Sequence, residues 1–302
     1  MRAHNMPVAV CILAGVIALA SAGQESANGA AEQAGAAFVG ERLVYKVEWD
    51  PPWFLFFLPK MDAGEAVLHL TGETEYESKK ALELRFTANS SGTLVKLANM
   101  RIEDEFVFLT EPGRYCTYRV SQKIREGKRK RQIDVQYLRD RRQLHIREID
   151  EAEVPPKVKK DAIKDDIPEC VHDPFSALYV FRQSDLQPGY ARTLLMGNDD
   201  KVREIRAVVE KQEAIQTASG KTPAWRVSIA ALMGGLFKEG GQFRIWFSAD
   251  EKKVPLQFEV RVRIGRVLGT LQDAGVGRKP NPVSLQSRDG NHSSGPGIAP
   301  GI

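Results

Sequence analysis

The chain has 302 residues, 42% hydrophobic and 27% charged, with 43 basic residues against 39 acidic and a formal net charge of +4. That balance is nearly even, so basic character is local, and charge alone does not make the whole chain a polyanion binder. After the N-terminal leader no apolar run reaches the roughly 20 residues that a transmembrane helix needs, which excludes a helical multi-span membrane protein.

The leader comes first. Met1 to Met6 carries Arg2 and no acid, Val8 to Leu19 is almost wholly apolar, and Ala20-Ser21-Ala22 is a small-residue cleavage site. This is the plan of a secretory signal peptide over residues 1–22, cut after Ala22. An uncleaved anchor is the alternative reading. Cys11 sits too early in the apolar run to be a lipoprotein cysteine. Residues 23–37 are small and polar and read as a linker, and the ordered body is expected over 38–271.

Trp49-Asp50-Pro51-Pro52-Trp53-Phe54-Leu55-Phe56-Phe57-Leu58-Pro59 is the oddest segment. Each proline removes a ladder donor, which argues against a central strand. It reads either as a loop folded back to plug the open end of a sheet or as an apolar lip. A lip would place Trp49, Trp53, Phe54, Phe56 and Phe57 against a hydrophobic ligand or a membrane.

From there the dominant rhythm is two. Leu82, Leu84, Phe86 and Ala88 alternate with Glu83, Arg85 and Thr87. Ile133, Val135 and Tyr137, then Leu144 and Ile146, predict a hairpin turning near 139–142. Phe243, Ile245 and Phe247 repeat the pattern, and Leu256, Phe258, Val260, Val262 and Ile264 form an unbroken series. Strands with one wet face are antiparallel strands. The fold class is therefore all-β: a strongly curved antiparallel sheet, as a sandwich or partly open barrel, with one short helix.

Between these strands lies a dense basic run containing Lys123, Arg125, Lys128, Arg129, Lys130 and Arg131. It reads as a solvated hairpin tip around Gly127, or as a contact for anionic lipid headgroups or polysaccharide. No aromatic residues interleave with it, and export removes the usual nucleic-acid partners, so nucleic acid is not expected. Pro156 to Asp165 is nearly all charge and reads as helix or loop.

The short helix is placed by Asp173 as its cap, Pro174 at its first position and an unbroken Phe175 to Arg182. Ser176 and Arg182 are expected as buried partners anchoring it, and Trp246 is expected to stack on the sheet. Once the leader is removed, Cys116 and Cys170 remain. They could pair across a loop of 54 residues, worth on the order of 4 kcal/mol, or stay as thiols.

Cys170-Val171-His172-Asp173 holds a thiol, an imidazole and a carboxylate, but such groups normally converge from separate segments. His69, His145 and His172 are scattered without paired ligand spacing, and Asp165-Asp166, Asp199-Asp200 and Glu103-Asp104-Glu105 lack calcium-loop spacing. No metal or cofactor is expected. Gly234-Gly235 and Gly240-Gly241 read as hairpin turns. Residues 272–302, rich in Gly, Pro, Ser and Asn, read as an unstructured tail.

Several segments together carry a family resemblance. These are Val39-Gly40-Glu41-Arg42-Leu43-Val44-Tyr45, Ala63-Gly64-Glu65-Ala66, Asp173 to Arg182 with Leu186-Gln187-Pro188-Gly189, and Trp246-Phe247-Ser248-Ala249-Asp250 leading to Pro255. On them the chain resembles the bacterial exported domain of unknown function 3108 from residue 39 to residue 271. The resemblance implies an all-β periplasmic or outer-envelope protein of a Gram-negative bacterium. It transfers no activity and no catalytic residue. Asp250 and Pro255 are assigned structural roles with Trp246. The link between the first two strands, Pro51 to Lys60, is longer here than the pattern expects.

The compartment, the sheet, the lip and the basic hairpin point to a noncatalytic envelope protein that holds an amphipathic molecule such as a lipid or lipid-linked sugar. Contact with a membrane surface or another envelope protein is part of the same expectation. A scaffold that binds protein through a sheet edge, and a hydrolase using Cys170, His172 or Asp173, are the alternatives.

Overall fold

The two-residue alternation becomes antiparallel strands in the computed structural model, which describes residues 38–92, 95, 101–229, 243–262 and 264–276. In chain order the first eight strands are β1 (Glu41–Asp50), β2 (Met61–Tyr76), β3 (Lys79–Ser90), β4 (Glu103–Thr110), β5 (Thr117–Glu126), β6 (Arg129–Leu138), β7 (Gln143–Asp150) and β8 (Lys157–Lys164). Helix α1 (Ser176–Arg182) follows. Then come β9 (Ala191–Asn198), β10 (Lys201–Thr217), β11 (Gly220–Ile229), β12 (Phe243–Ser248), β13 (Pro255–Arg261) and β14 (Arg266–Val276).

The order across the sheet is β8-β7-β6-β5-β4-β3-β2-β1-β14-β13-β12-β11-β10-β9. Two meanders thus spread from a central β1–β14 pair, and the outer strands β8 and β9 leave the sheet unclosed. Because every neighbouring pair is antiparallel, the connections alternate between two rims. Those after β1, β3, β5, β7, β9, β11 and β13 share a first rim. The remaining connections, including the β8–β9 connection that carries α1, share a second.

Register fixes which residues face inward. Leu70 lies opposite Leu84, and Leu68 opposite Phe86; Leu84 and Phe86 in turn face Phe108 and Phe106. The outer face is polar: Arg85 pairs with Glu83 and Glu105, and Arg119 with Asp134. A transmembrane barrel has the reverse arrangement, with an apolar band outside.

Helix α1 packs against the concave face and buries Ala177, Tyr179, Val180 and Phe181. Asp173 caps it: Oδ1 accepts from the amides of Phe175 and Ser176, each at 2.9 Å, and Oδ2 accepts from Thr117 at 3.0 Å. The segment before the helix spans the gap between the two meanders. Val171 accepts from the Thr117 amide at 2.7 Å, and His172 bonds on either side to Leu195 and Gly197 of β9. Lys160 of β8 reaches Asp200 at 2.7 Å across the same gap.

Three sequence expectations are corrected. Pro156 to Asp165 is not helix or loop; it forms edge strand β8, held by backbone pairing to β7. An edge strand rich in lysine is a protected edge, so it needs no apolar alternation. The series through Ile264 breaks at Arg261, because Gly265, at φ +79°, reverses the chain and leaves Ile264 exposed. The final strand runs past Leu271 to Val276, since Arg42 to Val44 of β1 pair with Asp273 to Gly275. The leader, the linker 23–37, both Gly-Gly pairs and residues 277–302 lie outside the described residues.

Candidate functional site

Between α1 and the two arms of the sheet lies a partly open cavity of about 450 Å³, within the ~300–1,000 Å³ range of small-molecule sites. Its walls form because inward positions of strands far apart in sequence carry large apolar groups. Phe86 of β3, Phe106 and Phe108 of β4, and Phe258 and Val260 of β13 line it, with Leu178 of α1. Phe175, just before the helix, stacks on Phe86 with centroids 4.3 Å apart and tilts against Phe108 at 5.2 Å. Gly269 lets the Phe258 ring lie over β14, where a Cβ would come within 2.1 Å of it.

Polar groups are few: Gln122, Tyr137, Asp173 and Asp199 lie toward the gap between the arms, and Tyr45 and Gln257 come from β1 and β13. Gln122 bonds Asp199 at 3.5 Å, and the Tyr137 ring lies against Gly197 of β9, where a Cβ would meet its oxygen at 1.9 Å. Burial pushes the Tyr137 hydroxyl well above its ordinary value, and the nearby Asp173 and Asp199 add to this. Across the cavity Tyr45 donates to the Pro255 carbonyl at 2.7 Å. Burial raises the Asp173 carboxyl, opposed by its bonds from Ser176, Phe175 and Thr117. The lining can hold an apolar body and hydrogen-bond one polar end. Among the described residues it presents no nucleophile beside a base.

The Cys170 reading changes with the fold. Cys116 and Cys170 form a disulfide, with Cα atoms 5.0 Å apart, so Cys170 has no thiol to attack with. His172 Nε2 lies 3.6 Å from the Cys170 sulfur, while its Nδ1 is bonded to the Tyr115 carbonyl at 3.0 Å. Burial holds the imidazole below its ordinary range, opposed by the Tyr115 carbonyl. The two sulfurs and His172 lie close enough to suggest a metal site, but joined sulfurs offer no thiolate.

The residues assigned structural roles are placed as follows. Arg182 is buried, bonds Glu41 with both terminal nitrogens and donates to the Lys252 carbonyl. The Ser176 hydroxyl and the Asp173 main chain bond each other. Trp246 is buried on the sheet, with Nε1 on Glu213 at 2.9 Å. Asp250 accepts from Ser248 in the β12–β13 turn that leads to Pro255.

The aromatic lip and the cavity are separate. Trp53, Phe54, Phe56 and Phe57 are exposed on the first rim, and neither they nor Trp49 line the cavity. Within the basic run, Lys123 pairs with Glu105, Arg125 with Glu151, Arg129 with Glu126 and Arg131 with Glu148. Lys128 and Lys130 make no ion pair with a described residue. Sequence reasoning missed the cavity wall itself. The alternation of Phe86, Phe106, Phe108 and Phe258 was a usable signal for facing inward, but which inward residues border a void depends on the spacing of the two arms.

Comparison with one solved structure agrees with this architecture. A β-barrel-like protein of domain of unknown function DUF1849 from Brucella abortus matches with a TM-score of 0.52 at 14% identity, covering 79% of this chain and 98% of its own. A candidate exported protein with a YmcC-like fold from Bacteroides fragilis gives 0.31 at 12% identity, covering 78% and 96%. No curated protein matches the chain. The family model described as "Protein of unknown function (DUF3108)" matches residues 44–272, which carry most of the central strand pair, the helix and the whole cavity lining, and the chain belongs to that family.

Proposed function

We propose that the protein binds an amphipathic, lipid-like molecule in the cavity beneath α1, as a noncatalytic component of the bacterial cell envelope. The observation that carries this reading is the lining: aromatic and aliphatic over most of its surface, with a few polar groups, Gln122, Tyr137, Asp173, Asp199, Tyr45 and Gln257. An acyl or isoprenoid body suits the apolar walls, and burying it there releases water from both surfaces. The charged groups of the lining, Asp173 and Asp199, are both acidic, so a hydroxyl-bearing head group fits it and a carboxylate would meet them with like charge.

Displacement of Nile red from the cavity tests the reading. Monoolein, neutral and hydroxylated, is expected to displace the dye at least about ten-fold better than oleate at pH 8, a difference of roughly 1.4 kcal/mol. Leu178→Trp places an indole in the cavity and is expected to abolish dye uptake with the thermal midpoint retained. Unchanged uptake by a folded variant would remove the cavity as the binding site.

A further inference from the structure

The two segments that stand out in the sequence lie on the same rim of the sheet. The aromatic loop joins β1 to β2 and the basic hairpin turns between β5 and β6, both first-rim connections. Hydrogen bonds run between them along the rim. The Ser91 amide donates to Ala63, the Ser90 amide to Ile102, and the Gly127 amide to Arg101, at 3.1, 2.9 and 2.8 Å. Helix α1 arrives from the opposite rim. Ile229 and Phe243, which flank the β11–β12 connection, and Asp199 in the β9–β10 turn bring the cavity lining to the first rim.

The rings are held outward. A 3-10 turn at Trp53–Leu55 is closed by the Leu55 amide on Pro52 and the Leu58 amide on Leu55. Trp53 is 87% exposed and Phe56 86%, with Phe54 and Phe57 also more than half exposed. At the foot of the loop Trp49 Nε1 donates to the Ile264 carbonyl at 2.8 Å, and Ile264 is itself exposed. Isolated exposed apolar residues are ordinary, but four large rings on one short, braced loop are not.

Most acids on the rim are paired with cations, while Asp62, Asp104 and Asp199 accept hydrogen bonds from Gly64, Arg125 and Gln122 instead. Asp50 is paired with Arg266, Glu103 with Arg101, Glu126 with Arg129, Glu151 with Arg125 and Glu153 with Lys159. Lys60, Lys128, Lys130 and Arg261 are exposed and make no ion pair with a described residue. The rim therefore presents an apolar loop flanked by four exposed cations, Lys60, Lys128, Lys130 and Arg261, against three acids that likewise lack an ion pair with a described residue, Asp62, Asp104 and Asp199.

We propose that this rim docks the protein on an anionic phospholipid bilayer. Trp53, Phe54, Phe56 and Phe57 enter the interfacial layer, where amphipathic and aromatic rings settle, and Lys60, Lys128, Lys130 and Arg261 meet headgroup phosphates. The polar outer face of the sheet keeps the strands out of the hydrocarbon, so the protein lies on the membrane with its cavity lining reaching toward the lipid. Docking rests on the rim alone and stands or falls apart from the cavity reading.

Vesicle sedimentation tests it. The protein is expected to sediment with phosphatidylethanolamine–phosphatidylglycerol vesicles, to bind pure phosphatidylcholine at least ten-fold more weakly, and to release in about 0.5 M salt as screening sets in. Brominated acyl chains should quench tryptophan emission in the wild type, and Trp53→Ser should remove most of that quenching. Trp53→Ser with Phe56→Ser should cost at least ten-fold in binding, and Lys60→Gln with Lys128→Gln and Lys130→Gln should erase the preference for phosphatidylglycerol. Failure of the wild type to sediment, equal binding to both vesicles, or full binding by the ring variant would overturn the proposal. Nile red uptake by the same variants, expected to be unchanged, separates this result from the fate of the cavity.

Discussion

Arg182 shows how a single buried charge orients the helix. The residue is 4% exposed, and its guanidinium bonds Glu41 through both terminal nitrogens, donates to the Lys252 carbonyl through Nε and Nη2, and lies 4.0 Å over the Phe38 ring. A planar fork satisfied on every side tolerates burial that a lone charge would not. Arg182→Met strands the Glu41 carboxylate and should cost about 3–5 kcal/mol in urea unfolding. A loss below about 1 kcal/mol would mean that the pair does not hold the helix. The sequence showed half of this pair: an arginine one turn past an apolar stripe reads as a helix anchor. Its partner lies 141 residues away, where only the antiparallel closure of β1 on β14 brings it near.

Among the elements, the helix-bearing connection depends most on long-range ties. Seven residues of helix are too short to be stable alone, so packing and the Cys116–Cys170 bridge to the β4–β5 connection must hold the segment. In the chain-entropy view a bridge across 54 residues contributes on the order of 4 kcal/mol. Cys116→Ser with Cys170→Ser should therefore lower the unfolding midpoint and speed amide exchange first in Ser176 to Arg182, while β2 and β3 keep their protection. Uniform loss of protection across the sheet would show that the bridge does not act locally. Alternation made β3, the β6–β7 hairpin and β12 legible from the sequence, and punctuation at Asp173-Pro174 made the helix legible. Strand β8 was not legible: Val158 and Ile163 are exposed on an edge, and an edge strand defined by backbone pairing leaves little pattern in its side chains.

At the scale of the whole molecule, two meanders share one central strand pair and leave a gap bridged by the segment before α1 and by side-chain bonds to Asp199 and Asp200. The fold class could be read from period two alone, because the inward set from β1 to β7 and from β9 to β13 is apolar. The site could not. Tyr137 from the sixth strand meets Gly197 from the ninth only because the arms curve toward each other, and no local pattern encodes that approach. The aromatic loop and the basic hairpin stood out as composition, but their position on one rim follows from counting antiparallel turns. The measurement that bears most directly on the cavity is native mass spectrometry of the protein purified from a bacterial envelope, followed by organic extraction. An amphipathic mass that accompanies the wild type and is missing from Leu178→Trp is the expected result. A bare polypeptide in both would contradict a ligand-holding cavity.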